Sequence, residues 1–120
     1  GNPTGTVLTP EEMRLVVDAL FPRKVDFMRE KSIEEKLVAA VKVQGGVCWK
    51  FTSPGTAGVP DRIVLMPFGR IGFVEVKTPG EKPRSLQRLR IKTLRRLGFK
   101  AFVLDSPDQI GGIIDEIQTP

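Results

Sequence analysis

The sequence predicts an α/β domain in which helices flank a mixed four-stranded sheet, with a helical extension at the amino terminus. Periodic segments follow one another along the chain in the order α-α-β-β-β-α-β-α. The two middle strand segments, 61–66 and 71–77, are apolar at most positions of both parities, as expected for central strands that are covered on both faces. A length of 120 residues suffices for one hydrophobic core but not for two.

Two helices are predicted before the first strand. The segment Thr9-Pro10-Glu11-Glu12 has the pattern of a capping box with proline at the first helical position, so the first helix begins here and extends to about Leu20. We expect residues 1–27 to form an extension that contains this short helix. Residues 28–120 are expected to form the main domain.

The second helix is predicted from about Arg29 to Gln44, where two glycines supply a left-handed carboxyl-terminal cap. Glu34 lies on the edge of the apolar stripe of this helix and has no obvious partner. Glu35 follows Ser32 by the spacing of a capping box, which predicts a local structural use for Glu35.

Alternation, helical spacing and breaker residues predict the remaining elements. Strands are predicted at 47–52, 61–66, 71–77 and 100–105, with a turn at 67–70 and a loop at 78–83. A helix at 85–97 is predicted to point its arginines outward and its leucines inward, namely Leu86, Leu89, Leu94 and Leu97. A final helix, capped from Ser106, is predicted to bury one stripe of isoleucines, namely Ile110, Ile113, Ile114 and Ile117.

Two residue types are missing from the chain, and their absence excludes several classes of enzyme. Without histidine there is no His-ligated zinc, no Ser-His-Asp or Cys-His triad and no nuclease with a histidine base. Without tyrosine there is no tyrosine-nucleophile recombinase or topoisomerase. A hydrolase of this composition must therefore work with Asp, Glu, Lys and a metal ion.

The single cysteine and the hydropathy of the chain predict the cellular compartment of the protein. Cys48 cannot form an internal disulfide, so we expect a buried thiol in a strand and a reducing, cytoplasmic compartment. No apolar run approaches the roughly 20 residues that span a bilayer, so we expect no membrane partner.

Positive charge is concentrated in one segment of the chain. Between Arg84 and Lys100 there are seven cations and no acid, more than the net charge of +5 of the whole chain. Such a segment suits a polyanion such as DNA, because each phosphate contact releases condensed counterions. The alternative is an ordinary solvated helix face.

The segment 53–77 carries the residues that best indicate catalysis. Asp61 begins one strand, and Glu75 and Lys77 share a face of the next strand because side chains alternate. Carboxylates bind a hard divalent cation such as Mg²⁺ or Mn²⁺ through oxygen, and a lysine can polarise water or stabilise developing negative charge. Two carboxylates about 4 Å apart repel by about 4 kcal/mol at an effective dielectric of 20, a cost that a cation between them would explain. The alternative is that Asp61 caps a loop while Glu75 and Lys77 form an exposed pair.

The register of the predicted hairpin decides whether Asp61 joins the other two residues. Asp61 opposite Glu75 or Lys77 places all three side chains on one face, whereas Asp61 opposite Val76 does not. A symmetric two-residue Phe68-Gly69 loop would give the unfavourable register. We therefore predict a loop of odd length or a bulge.

Two further features lie near this site in the sequence. The segment 54–58, Pro-Gly-Thr-Ala-Gly, could let a phosphate approach backbone N–H groups closely, although glycine-rich connections are common. Gln87 lies in the first turn of the basic helix. Its amide could orient a metal-bound water or Lys77, or it could simply face solvent.

Several short motifs occur together between about residues 29 and 117. They are Lys50-Phe51-x-Ser53-Pro54-Gly55-x-x-Gly58-x-Pro60-Asp61-Arg62, Glu75-Val76-Lys77, Pro83-Arg84-x-Leu86-Gln87 and Leu97-Gly98-Phe99. This combination resembles the VRR-Nuc domain, the virus-type replication–repair nuclease branch of the PD-(D/E)XK superfamily, and especially its compact stand-alone phage members. The resemblance implies a restriction-endonuclease-like αβββαβ core and cleavage of DNA with a divalent metal. It also implies homodimers that act on branched DNA such as four-way junctions.

The resemblance implies roles for individual residues as well. The metal ligands are expected to be Asp61, Glu75 and the helix glutamate Glu34, with Lys77, oriented by Gln87, helping to activate the attacking water. The expected DNA contacts are Lys50, Ser53, Thr56, Arg62, Lys82, Arg84 and Arg88. The rival interpretation is a non-catalytic DNA-binding module with the same fold, and an RNA-directed or exonuclease activity is also left open.

Overall fold

The computed structural model describes the backbone of residues 7–20 and 22–120 and the side chains of residues 7–16 and 28–120. The helices and strands are α1 (Pro10–Leu20), α2 (Pro22–Val43), β1 (Val47–Lys50), β2 (Arg62–Met66), β3 (Arg70–Val76), α3 (Ser85–Arg96), β4 (Lys100–Leu104) and α4 (Ile110–Gln118), with short 3-10 turns at Pro67–Gly69 and Pro107–Gln109. The predicted class and order of elements are confirmed. No helix in this part of the chain is both long and apolar enough to cross a membrane.

The four strands form one mixed sheet in the order β1-β2-β3-β4. β1, β2 and β3 are antiparallel neighbours, whereas β3 and β4 are parallel and are joined through a crossover that contains α3. β3 is therefore an inner strand, and its residues 72–76 are all buried. The prediction of a strand covered on both faces is confirmed for β3.

α2 and α4 cover one face of the sheet and form the main core with it. Fully buried side chains meet here from both helices and from the sheet, such as Leu37 from α2, Val64 and Val74 from the sheet, and Ile114 from α4. Cys48 of β1 also points into this core, and burial raises the pKa of its thiol to about 11. The predicted buried thiol and the predicted isoleucine stripe of α4 are both confirmed.

α3 covers only part of the opposite face. Ile91 is its buried residue, and it packs with Phe73 of β3 and Ala101 of β4. The helix packs chiefly against β4, so only a narrow stripe of its surface is buried. The predicted inward orientation is wrong for three of the four leucines, because the side chains of Leu86, Leu89 and Leu97 are exposed.

α2 begins at Pro22, earlier than the predicted start near Arg29. Ser32 consequently lies inside the helix, where the N–H groups already have helical partners and need no cap. The capping-box role predicted for Glu35 is wrong for this reason. The carboxyl-terminal cap is confirmed, because Gly45 has a φ of 88°.

The amino-terminal helix has the predicted cap. The Thr9 N–H donates to Oε1 of Glu12 at 3.2 Å, and the Glu12 N–H donates to Oγ1 of Thr9 at 3.1 Å. Residues 1–6 of the predicted extension lie outside the described residues. The division between residues 1–27 and 28–120 stays a prediction.

Candidate active site

The β2–β3 hairpin sets the positions of the predicted catalytic acids. Its tip is the three-residue turn Pro67–Gly69. The antiparallel ladder ends with Arg62 opposite Val74, so one step further Asp61 lies opposite Glu75. The predicted odd-length loop is confirmed, and Asp61 and Glu75 belong to the same face of the hairpin.

Asp61 is fixed at the start of β2 by contacts with both neighbouring strands. Its backbone carbonyl accepts the Phe51 N–H at 2.8 Å, and Oδ2 of its carboxylate accepts the Val76 N–H at 2.9 Å. Burial raises the pKa of Asp61, and the hydrogen bond from Val76 partly opposes this effect. The carboxylate is therefore held against the end of β3, beside Glu75.

Glu75 is only 1% exposed, and its two carboxylate oxygens have different surroundings. Oε2 lies 2.7 Å from the donating Nε2 of Gln87 and 3.2 Å from Nζ of Lys77. Oε1 is buried and has no hydrogen-bond partner within the described part of the chain. Burial, followed by the nearby Asp61 carboxylate, raises the pKa of Glu75 to about 7. An ionised carboxylate in this position lacks a compensating positive partner for Oε1.

Gln87 connects the start of α3 to this carboxylate. Its Oε1 accepts the Arg84 N–H at 2.8 Å, which leaves the NH₂ group to donate to Glu75. The sequence predicted that this amide would orient a water or Lys77, or face solvent, whereas the structure shows it bound to Glu75. Lys77 is held separately, because its N–H donates to the Leu104 carbonyl at 2.8 Å and extends the parallel pairing with β4.

A cavity of about 390 Å³ opens beside these residues. Its lining consists of Glu30, Asp61, Glu75, Lys77, Glu81, Lys82, Arg84 and Gln87. The structure thus brings together four of the predicted catalytic residues and two of the predicted DNA contacts. The sequence analysis missed Glu30 and Glu81. A signal for Glu30 was present, because it lies four residues before Glu34 and therefore on the same face of α2.

Glu34 lies in a neighbouring cavity of about 240 Å³, which Lys50 also lines. Its Oε2 accepts a hydrogen bond from Nε of Arg62 at 2.6 Å, and both side chains are 17% exposed. The expectation that Glu34 has no obvious partner is therefore wrong. Arg62 also donates to the Cys48 carbonyl at 3.4 Å, so its guanidinium is already bound within the protein. Its predicted contact with DNA stays a prediction.

The glycine-rich segment 54–58 packs against the start of α3. Gly58 has a φ of 84°, and a Cβ at this position would lie 2.8 Å from Cγ of Leu86. Arg90 donates from Nε to the Ala57 carbonyl at 2.8 Å. Ala57 and Gly58 line a further cavity with Arg84, Leu86 and Gln87, and Arg84 and Gln87 also line the cavity that contains Asp61 and Glu75.

The predicted DNA contacts other than Arg62 lie at the surface of the protein. Lys50, Thr56, Lys82, Arg84 and Arg88 are exposed, and Ser53 is half-buried. The Thr56 N–H donates to the Ser53 carbonyl at 3.2 Å, and Arg88 donates to the Pro83 carbonyl at 3.0 Å. Whether these side chains bind DNA stays a prediction.

The donors around Asp61 and Glu75 fit a hard divalent cation. Within residues 7–16 and 28–120, no three acidic side chains lie close enough together to form a complete ligand set. Mg²⁺ usually binds one or two protein carboxylates and completes its octahedral shell with waters and substrate phosphates. Two adjacent acids, one with an unpartnered buried oxygen, meet this requirement.

The sequence profile of the VRR-NUC domain matches residues 25–108. The chain belongs to the VRR-NUC family. "Putative nuclease p44" of Acyrthosiphon pisum secondary endosymbiont phage 1 is 52% identical over 81 residues, which are 68% of this chain and 87% of that protein. A solved structure of a VRR_NUC domain matches with a TM-score of 0.68 and 30% identity, and covers 72% of this chain and 95% of that one. The VRR-NUC resemblance predicted from the motifs is confirmed, and the chain is a member of a family of nuclease domains.

Proposed function

We propose that this VRR-NUC domain is a divalent-metal-dependent DNA endonuclease of the PD-(D/E)XK type. The proposal depends above all on Glu75, which is buried beside Asp61 and has one oxygen without a partner. The large majority of buried side-chain oxygens in folded proteins are hydrogen-bonded. A buried acid with an unpartnered oxygen, in a residue that lines a cavity together with a second acid and a lysine, instead indicates a place for a cation.

Each residue of the cavity has a different role in the proposed reaction. Mg²⁺ or Mn²⁺, when bound, supplies Lewis acidity toward the scissile phosphate and favours the ionised form of water. Asp61, Glu75 and the Val76 carbonyl would hold the cation. Gln87 fixes the orientation of Glu75 through its hydrogen bond to Oε2. The ammonium of Lys77 would orient the attacking water or stabilise negative charge on the phosphate.

DNA is the polyanion that this proposal requires. Lys82 and Arg84 line the same cavity as Asp61 and Glu75, so cations that could bind phosphate lie beside the acids that would bind metal. Arg88 is exposed one helical turn further along α3. A DNA backbone bound by these side chains would place a phosphate in the cavity.

We further propose that the protein acts on branched DNA as a homodimer. One centre cuts one strand per engagement, and symmetric incision of a four-way junction needs two centres related by a two-fold axis. The α3 side of the sheet supports this, because Val47, Trp49 and Ile71 share a face with buried Phe73 and yet remain exposed beyond the reach of α3. A second copy of the chain would cover this apolar strip.

Cleavage assays on a four-way junction and on a linear duplex of the same length test the activity. We expect the wild-type protein to cut the junction in Mg²⁺ or Mn²⁺ and not in EDTA. Asp61→Asn should bind the junction and keep its circular dichroism spectrum, but it should not cut. Binding without cleavage in any metal would favour the non-catalytic module. Full activity of Asp61→Asn would refute the site.

Light scattering under cleavage conditions tests the dimer. Trp49→Glu should shift the wild-type dimer toward the monomer mass of 13.3 kDa and reduce paired incisions, because a charge would enter the apolar strip. Lys92→Glu, a charge change on the exposed side of α3, is the matched control. A wild-type protein of 13.3 kDa that still makes paired incisions would contradict the dimer.

A further inference from the structure

We infer that a second cavity beside the candidate active site binds an unpaired nucleobase next to the phosphate that is cut. The inference rests on the proposed function, because it requires a DNA phosphate at Asp61 and Glu75. It narrows the substrate class to DNA that has an unpaired nucleotide beside the cut.

The second cavity has a volume of about 320 Å³. Its lining consists of Ala57, Gly58, Arg84, Leu86 and Gln87. Arg84 and Gln87 also line the cavity of about 390 Å³ that contains Asp61 and Glu75, so the two cavities are neighbours at the start of α3. A DNA strand with a phosphate at Glu75 would therefore place an adjoining nucleotide at the second cavity.

The walls of the second cavity differ in chemistry from those of the first. Among the residues that the structure describes, the lining of the second cavity includes no acid, and Arg84 is its charged member. Leu86 supplies an apolar wall although it is 41% exposed. Apolar walls with few polar groups suit the face of an organic ring better than a phosphate or a hydrated cation.

Contacts between the loop 54–58 and α3 hold this cavity in shape. Gly58 has a φ of 84°, and a Cβ there would lie 2.8 Å from Cγ of Leu86, so glycine is what lets the loop approach the helix this closely. Nε of Arg90 donates to the carbonyl of Ala57 at 2.8 Å and fixes the loop from another position of the same helix. A site that is formed in advance loses little conformational entropy when it binds a ligand.

A nucleobase is the part of DNA that fits such walls, and it must be unpaired. A base inside a duplex is stacked on both faces, so proteins that hold a base in a pocket extrude it or bind it where it is already single-stranded. The polar groups of the cavity are largely in use, because the Gln87 amide is bound at both ends and the Ala57 carbonyl accepts from Arg90. We therefore expect the identity of the base to matter little.

Binding of the junction by the cleavage-deficient Asp61→Asn protein, measured by fluorescence anisotropy, tests the inference once the wild-type protein has located the cut. An abasic nucleotide next to the cut removes the base, and Leu86→Gln replaces the apolar wall. Each change should weaken binding about 5–10-fold, because each removes an apolar contact. Both changes together should weaken it little more than either alone, since they remove the same contact. Leu97→Gln, the same change at an exposed leucine outside the lining, is the matched control and should leave binding unchanged.

The inference is overturned if the abasic nucleotide or Leu86→Gln leaves the affinity unchanged, or if the two losses multiply as independent effects. Cleavage of the intact junction by the wild type would then keep the proposed function and refute only the base pocket. Wild-type protein that cuts no DNA would overturn both. Loss of the dimer mass in Leu86→Gln, without a response to the abasic nucleotide, would instead assign the cavity to a contact between two copies. Circular dichroism shows whether each variant is folded, and Ala57→Leu, which places a larger side chain at the lining, replaces Leu86→Gln if that variant is not.

Discussion

Replacing Glu75 by glutamine should stabilise the metal-free protein above neutral pH. Glutamine has nearly the same size, and its carbonyl can accept the hydrogen bonds from Gln87 and Lys77, but it carries no charge. Burial and the Asp61 carboxylate raise the pKa of Glu75 from 4.5 to about 7. At 1.36 kcal/mol per pKa unit, ionising Glu75 in the folded protein costs about 3 kcal/mol more than ionising it in the unfolded chain.

The sign of the pH dependence follows from the raised pKa. The folded protein binds the Glu75 proton more tightly than the unfolded chain does, so stability is highest below pH 4.5 and is lost as the pH rises through about 7. Glu75→Gln has no titratable group at this position, so its free energy of unfolding does not fall in this way as the pH rises. The variant should therefore exceed the wild type by about 3 kcal/mol at pH 8, and by less than about 1 kcal/mol at pH 5.

Urea unfolding in EDTA at pH 5 and pH 8 measures the free energy of unfolding of both proteins. Glu35→Gln removes an exposed carboxylate from α2 and serves as the control for a simple change of net charge. Equal stability of Glu75→Gln and wild type at pH 8, or the same gain at both pH values, would refute the reasoning. Addition of Mg²⁺ should then stabilise the wild type and leave Glu75→Gln unchanged.

Four further outcomes are expected. Lys77→Ala should abolish junction cleavage but still bind Mn²⁺ in titration calorimetry, because the proposed role of the ammonium is in the reaction and not in binding the cation. Retained turnover would contradict this role. Replacing Arg84 and Arg88 together by glutamate should weaken junction binding in fluorescence anisotropy and flatten its salt dependence, since fewer counterions are released; an unchanged salt slope would exclude these arginines as phosphate contacts. Gly72→Ala should cost about 1–3 kcal/mol in urea unfolding, because the new Cβ would lie 2.4 Å from the Ile117 side chain. Gly111→Ala, which meets open space in α4, should instead gain about 0.5–1 kcal/mol, and a loss there would argue against the helix.

The sequence was most informative where local geometry decides the outcome. Strand parity limited the partner of Asp61 to Glu75 or Lys77 once the acids were required to share a face, and the three-residue turn of the structure decides for Glu75. The buried face of α3 depends instead on how far the helix reaches across the sheet. Spacing placed Leu86 and Leu89 inward, but only tertiary packing shows that Ile91 is the residue covered by the sheet.

The different surroundings of Glu30 and Glu34 on α2 could not be predicted from the sequence for a similar reason. Helical periodicity places Glu30 and Glu34 on one face and treats them alike. The difference arises from Arg62, a residue 28 positions from Glu34 in the chain, whose ion pair forms only when β2 lies against α2. Contacts of such sequence separation leave no periodic signal.

The side-chain amide of Gln87 links the start of α3 to Glu75. One of its atoms is bound to the backbone at the start of α3 and another to Glu75, at 2.8 Å and 2.7 Å. The helix therefore cannot slide along its axis without breaking one of these bonds. Asparagine would be too short to span both partners, and glutamate could not donate to a second carboxylate. In the proposed complex with DNA, Gln87 would therefore help to set the distance between a phosphate bound by α3 and the phosphate at Glu75.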